Sequence, residues 1–299
     1  MDGVLVDTDA SYSEAVLRTV QWLLVHDAGI TDDGPAVSRA DVRAFKLAGG
    51  WNNDWDLSAV LYRWLLAGPG PSAASWSGTA AVPRGGAVPA ATTSALRRAA
   101  RSAADAARIS LDEHGRRAGA RAPRTWEEIR GIFDEYYGGT ATAVARYGMP
   151  PRVHNPRGLC ENEAVLLTPA LVADLRSLGV AKFGVVTGRS QAEWEAIAAR
   201  VPLPPGTVVS TEAHGKKPDP EPLRRVVEAL DARLFVAVGD TMDDLRMVQK
   251  YARLPGARTG LPVVLCPPEE EATYRAAGAV WFIRELDGLP EVLRSLLRT

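Results

Sequence analysis

The spacing of apolar residues divides the chain into a helical first half and a second half in which short apolar runs alternate with amphipathic stretches. Over residues 11–29, Ala15, Val16, Val20, Leu23 and Leu24 recur at three- and four-residue spacing and predict an amphipathic helix. Shorter helices are predicted over 40–48 and 57–66, separated by Gly49-Gly50-Trp51-Asn52-Asn53-Asp54-Trp55-Asp56. Thr125-Trp126-Glu127-Glu128 has capping-box spacing and opens a helix to about Tyr137, ended by Gly138-Gly139. The period then changes. Leu234-Phe235-Val236-Ala237-Val238 is an unbroken apolar run that reads as a buried parallel strand, and Phe183-Gly184-Val185-Val186 as a second apolar strand, each followed by a polar turn and a helical pattern. Residues 208–210, 262–266 and 280–283 read as further strands, and 171–178, 191–200, 221–230, 242–251 and 289–297 as helices. This alternation predicts a parallel α/β sheet, a fold that keeps its sites at the carboxyl ends of its strands.

Two segments fall outside the pattern. Residues 68–93 are rich in Gly, Pro, Ala and Ser and read as a flexible insertion. Residues 94–124 set Arg97, Arg98, Arg101, Arg108, Arg116, Arg117, Arg121 and Arg124 on an alanine-rich, helix-favouring background. Asp105, Asp112 and Glu113 interrupt that charge, which favours a solvated face over an anion-binding one.

Composition sets the limits. With 299 residues, 46% of them hydrophobic and 24% charged, the chain can bury an α/β core and carry a second domain. A net charge of -1 gives no general pull toward nucleic acid or an acidic membrane. No apolar stretch approaches the roughly 18 residues of a membrane span, and acids stand where a signal peptide has bases. Cys160 and Cys266 lack disulfide-framework or metal-ligand spacing, so a reducing cytoplasm is the simplest compartment.

The chemistry concentrates at strand ends. Gly239-Asp240-Thr241-Met242-Asp243-Asp244 brings three carboxylates together, and such crowding is relieved by a hard divalent cation such as Mg²⁺. An acidic helix N-terminus favoured by the dipole is the other reading. Thr187-Gly188-Arg189-Ser190 joins a strand to a helix, the arrangement of an anion site built from backbone N–H groups and a hydroxyl; an ordinary turn with Ser190 as N-cap fits the same residues. Lys216-Lys217-Pro218-Asp219-Pro220 offers a cation ahead of a helix. In the helical half, the amides and acid of Asn52-Asn53-Asp54 could line a polar pocket. Trp51 and Trp55 fit either a pocket wall or core anchors, and Gly49-Gly50 a helix C-cap. His154 and Arg157 lie in a polar return segment.

Taken with these stretches in this order, Asp2-Gly3-Val4-Leu5-Val6-Asp7-Thr8 resembles the first motif of the haloacid dehalogenase (HAD) superfamily, in its subfamily of phosphatases with a helical cap. The resemblance implies a Rossmann-like parallel sheet formed by residues 1–12 and 160–299. A helical cap would be inserted over 13–159, and because the family's cap supplies specificity, Lys46, Asn52 and Asn53 would be candidates for substrate recognition. It implies Mg²⁺-dependent hydrolysis of a small phosphomonoester through an aspartyl-phosphate. Asp2 would be acid, base and, through its carbonyl, metal ligand. Thr187 would bind the phosphoryl group with Gly188 beside it, and Lys217 would be the active-site cation. Asp240 and Asp244 would be the metal acids, with Asp243 the alternative to Asp244. In the family the attacking aspartate is the residue before the one aligned with Met1, at the end of the central strand. An internal start is therefore expected, and the 299-residue chain is expected to be unstable and a poor phosphatase. Three alternatives stay open: a catalytically silent phosphate-binding protein, a dehalogenase, and a phosphonatase, for which Lys46 is the only lysine before Lys182. The Gly49–Asp56 stretch also resembles the cap of one HAD subgroup.

Overall fold

A computed structural model describes residues 1–67, 92–99, 102, 126–148 and 150–298. The insertion expected over 68–93, apart from its last two residues, and most of the arginine-rich stretch to 124 lie outside the described residues, as does Thr125 of the expected capping box.

The chain opens in a tight turn. The Met1 carbonyl accepts from the N–H groups of Val4 (3.2 Å), Leu5 (2.7 Å) and Val6 (3.3 Å), and Gly3 takes the left-handed φ of +69° that the turn requires. Val4-Leu5-Val6 is therefore mostly turn. Only Val6–Asp7 (β1) is strand, antiparallel to Ala164–Val165 (β2).

Two compact units follow, one formed by Thr8–Glu163 and the other by Met1–Asp7 with Ala164–Thr299. The first is helical: α1 (Glu14–His26), α2 (Arg39–Ala48), α3 (Asp54–Ala67), α4 (Thr93–Ala99), α5 (Trp126–Gly138) and α6 (Thr140–Tyr147). Its core takes the predicted apolar face of α1, with Val16, Val20, Leu23 and Leu24 buried against Leu57, Leu61, Ile129, Ile132 and Phe133. The tryptophans are core anchors and not pocket walls: Trp51 meets Phe45 edge-on at 6.3 Å and Trp55 meets Phe133 at 6.1 Å. Gly49 and Gly50, with φ of +82° and +87°, turn the chain after α2. The unit closes on itself through buried Glu163, which accepts from Ser11 Oγ (2.9 Å) and Tyr137 Oη (3.0 Å). These bonds tie Thr8–Ser13 and 159–163 to the helices within the unit Thr8–Glu163.

The second unit alternates strands and helices: β2, α7 (Pro169–Ser177), β3 (Gly184–Val186), α8 (Gln191–Ala198), β4 (Val208–Ser210), α9 (Glu221–Ala229), β5 (Leu234–Gly239), α10 (Met242–Tyr251), β6 (Thr259–Leu265), α11 (Glu271–Ala276), β7 (Trp281–Ile283) and α12 (Leu289–Leu296). Capping boxes start α8 (Ser190 with Glu193) and α10 (Thr241 with Asp244). All pairings among β3 to β7 are parallel, but they form two sheets, β3-β4 and β5-β6-β7. Among the described residues no strand pairs with the second edge of β3 or of β5. The two sheets share one core, in which Val185, Val263 and Ile283 are buried and Val209, Val236 and Val238 are half-buried. The burial predicted for the 234–238 run is therefore incomplete: β5 is covered by β6 on one edge only, and Leu234 is 61% exposed.

Candidate active site

Four strand-end or turn segments of the α/β unit bring charged side chains together. The opening turn presents Asp2. Its carboxylate accepts from Thr187 Oγ1 (3.0 Å), just beyond β3, and from Arg189 Nε (2.7 Å), two residues on. Thr187 and Arg189 are each 2% exposed, and the Arg189 N–H donates to Thr187 Oγ1 at 3.1 Å. The threonine hydroxyl thus accepts from the turn and donates to Asp2. Gly188, exposed between them, leaves the turn open. Ser190 is the N-cap of α8, which is the ordinary-turn reading of this stretch.

The second half of the site is built on α10. Asp244 Oδ2 accepts from Thr241 N (3.2 Å) and Thr241 Oγ1 (2.6 Å), capping the helix, while Oδ1 lies 2.7 Å from Lys217 Nζ. Asp244 folds back over the end of β5, where a Cβ on Gly239 would lie 2.2 Å from its own Cβ. Lys217, and not the exposed Lys216, is the inward lysine, with an 8% exposed side chain. Asp240 packs its carboxylate on the opening turn: a Cβ on Gly3 would sit 2.1 Å from Asp240 Oδ2. Asp243 is buried.

Charge ties the two halves together. Burial alone lowers the Lys217 pKa, but Asp244 first, then Asp2 and Asp240, outweigh it and hold the ammonium above its ordinary value. Burial raises the Asp2 carboxyl, yet Arg189, the Met1 ammonium and Lys217 hold it below the usual carboxylate range. Asp244 is likewise pushed up by burial and held down by Lys217. Arg189 thus pairs with Asp2, and Lys217 with Asp244.

The whole constellation lies within a stretch that matches the haloacid dehalogenase-like hydrolase family over residues 1–250. The chain belongs to that family. Among solved structures it is similar to phosphatase Tt82 from Thermococcus thioreducens, with a TM-score of 0.55, 21% identity, and coverage of 99% of this chain and 96% of that one. A structural-genomics target matches with a TM-score of 0.57 and 15% identity over 100% and 98% of the two chains. Likeness at these identities shows a shared fold. A curated protein, imidazoleglycerol-phosphate dehydratase of Phytophthora nicotianae, is 24% identical over 249 residues, covering 82% of this chain and 39% of that one. The chain thus spans about two fifths of that relative's length.

HAD hydrolases generally use Mg²⁺, and the donor chemistry here fits a hard cation. Asp240 and Asp244 are hard oxygen donors, the Asp2 carbonyl is another, and Lys217 offsets only part of their charge. Among the described residues no three acid, His or Cys side chains converge as a ready-made cage. Mg²⁺ suits such a partial set, since it keeps several waters and takes substrate phosphate oxygens.

The remaining candidates lie in the helical unit. Lys46 Nζ is 2.8 Å from Asp54 Oδ1, both side chains being largely buried, and Asn53 Oδ1 accepts from Asp56 N (3.2 Å), which makes it the N-cap of α3. Asn52 is half-buried beside it. His154 takes a φ of +59° in a loop tied to the end of α5, where Asn155 Nδ2 donates to the Glu135 and Tyr136 carbonyls. Three contacts at the site were not predicted from the sequence. Arg189 is the partner of Asp2, Gly3 is the floor under Asp240, and Tyr274 donates to the Asp240 carbonyl at 2.8 Å. The Asp-Gly and Thr-Gly-Arg strings carry a signal for the first two; Tyr274 stands 34 residues from its partner with none.

Proposed function

We propose that the protein is a magnesium-dependent hydrolase of a small phosphomonoester, working through an aspartyl-phosphate. The observation that carries this reading is the meeting of Asp2, Thr187 and Arg189 with Lys217, Asp240 and Asp244 in one charged cluster. In this reading Thr187 Oγ1 and the N–H groups of its turn hold the phosphoryl oxygens, with Gly188 allowing the approach. Lys217 neutralises charge gathering on the transferring group. Asp2 gives a proton to the leaving alcohol and takes one from water in the second half-reaction. In the family motif the attacking carboxylate stands one position before the residue that aligns with Met1. Asp240, the Asp2 carbonyl and Asp244 would hold Mg²⁺, which when bound neutralises the phosphate and orients it for in-line attack. The helical unit is read as a cap, with Lys46, Asn52 and Asn53 its candidates for recognising the alcohol portion.

For the substrate, the Phytophthora relative supplies a pointer. Its name attaches it to imidazoleglycerol phosphate, and this chain matches two fifths of it. Dehydration is not the chemistry of a hydrolase family, so what transfers is the substrate class: a phosphomonoester whose alcohol carries an imidazole.

The test is a protein with an apolar strand and an aspartate placed ahead of Met1. Expected is Mg²⁺-dependent release of phosphate, faster from imidazole-bearing monoesters than from sugar phosphates, and lost in Asp2→Asn and Lys217→Met. A folded extended protein no more active than its Asp2→Asn variant overturns the reading. Equal rates across the panel overturn the substrate class alone.

A further inference from the structure

We propose that Tyr274 is a positioning residue for the cation site, holding the Asp240 turn in the conformation that presents its carboxylate. The inference rests on the reading of Asp240 as a cation ligand. Asp240 follows the last residue of β5, and its carboxylate lies against Gly3, so the side chain has a floor. Its backbone is held from the other direction. Tyr274 is fully buried, and its hydroxyl donates to the Asp240 carbonyl at 2.8 Å across 34 residues of sequence. A phenol is suited to this reach, because its ring packs in the core while the hydroxyl satisfies a buried acceptor.

The helix that carries Tyr274 is itself anchored. The Tyr274 carbonyl accepts from the N–H groups of Ala277 (3.1 Å) and Ala279 (3.0 Å), closing the end of α11. Gln249 Nε2 on α10 donates to the Ala277 carbonyl at 2.7 Å. The same helix begins with Asp244 and its Thr241 cap, so the two metal acids are referred to one frame: Asp244 directly, and Asp240 through Gln249, α11 and Tyr274. Hydrogen bonds that orient ligands from outside the coordination shell affect affinity without touching the ion, by about 10- to 100-fold when removed. Tyr274 acts through the Asp240 backbone, so its role is positional.

The experiment titrates Mn²⁺ into the full chain, with free Mn²⁺ read by electron paramagnetic resonance, for wild type, Tyr274→Phe, Gln249→Met and Asp240→Asn. Expected is binding weakened about tenfold in Tyr274→Phe, more mildly in Gln249→Met, and abolished in Asp240→Asn. A structural role alone would lower the melting temperature of Tyr274→Phe and leave its Mn²⁺ affinity unchanged, and that result overturns the proposal. Undiminished binding in Asp240→Asn, or none in wild type, removes the reading of Asp240 and the proposal with it. If Tyr274→Phe does not fold, unchanged affinity in Gln249→Met overturns it.

Discussion

At the scale of single residues, the Lys217–Asp244 pair governs how the site responds to pH and to mutation. Both side chains are largely buried and lie 2.7 Å apart, so removing one leaves a charge without its partner in a dry setting. Lys217→Met is expected to cost about 3 kcal/mol at neutral pH, read as a lower melting transition of the α/β unit. The pH dependence follows from the shifts. Asp244 is depressed in the folded chain, so its share of the stability is present above the ordinary carboxylate pKa of about 3.9 and fades as pH falls through the folded value. Lys217 is raised, so its share is present below the ordinary lysine pKa of about 10.4 and fades as pH rises through the folded value. The gap between wild type and Lys217→Met is therefore widest between those limits and narrows in acid, where the lone Asp244 of the variant protonates. Melting curves at pH 3, 7 and 9 check this; a gap that does not change with pH removes the ion pair as its cause.

At the scale of elements, what a sequence shows depends on how far apart the partners are. Capping boxes are local, and Ser190-x-x-Glu193 and Thr241-x-x-Asp244 start their helices where the pattern puts them. Helix α4 is different. It has only seven residues, too few to stand alone, and its N-terminus is held by Asp33, which accepts from Ser94 N (2.9 Å), Ser94 Oγ (2.5 Å) and Thr93 Oγ1 (3.0 Å). Nothing in the string 93–99 announces a cap sixty residues earlier. The Ser94 hydroxyl, then its N–H, hold the Asp33 carboxyl well below the usual carboxylate range. The clasp is thus present above about pH 3.9 and released only as pH falls through the lower folded value. Asp33→Ala is expected to speed amide hydrogen exchange across 94–97 several-fold, as wild type does only in strong acid. Unchanged exchange would mean that packing alone holds α4. The same distinction applies to the candidate site: Thr187, Lys217 and Asp240 stand out in the sequence because each sits in a short local motif, Thr187 and Asp240 directly after a strand. Tyr274 does not, because its role is defined by the Asp240 carbonyl, far away in the chain. The burial of β5 was overestimated for a related reason, since periodicity records what a strand is suited to and not which neighbours it has.

At the scale of the molecule, the decisive feature is a parallel α/β unit in two pieces. β3 and β5 carry the turn of Thr187 and the turn of Asp240, draw on one apolar core, and each lack a partner on one edge among the described residues. An unpaired strand edge leaves backbone N–H and C=O groups that must be hydrated or bonded elsewhere. Val236 and Val238 are half-buried in the shared core, so apolar surface is available there for more cover. A strand that bonded both edges would satisfy those groups and join the two sheets. It would also shield these valines. Joined directly to Met1, it would end beside Lys217, whose charge already bears on the Met1 ammonium. Its effect should be confined to one unit, since the helical unit has a separate apolar core. Fusing five or six β-branched residues and an aspartate ahead of Met1 is therefore expected to raise the melting transition of the α/β unit by several degrees. The transition of the helical unit should stay where it is. Isotope-edited infrared or amide exchange should show new protection on both β3 and β5. Protection on neither strand, or a rise shared equally by both units, would mean that the two edges do not receive a common strand.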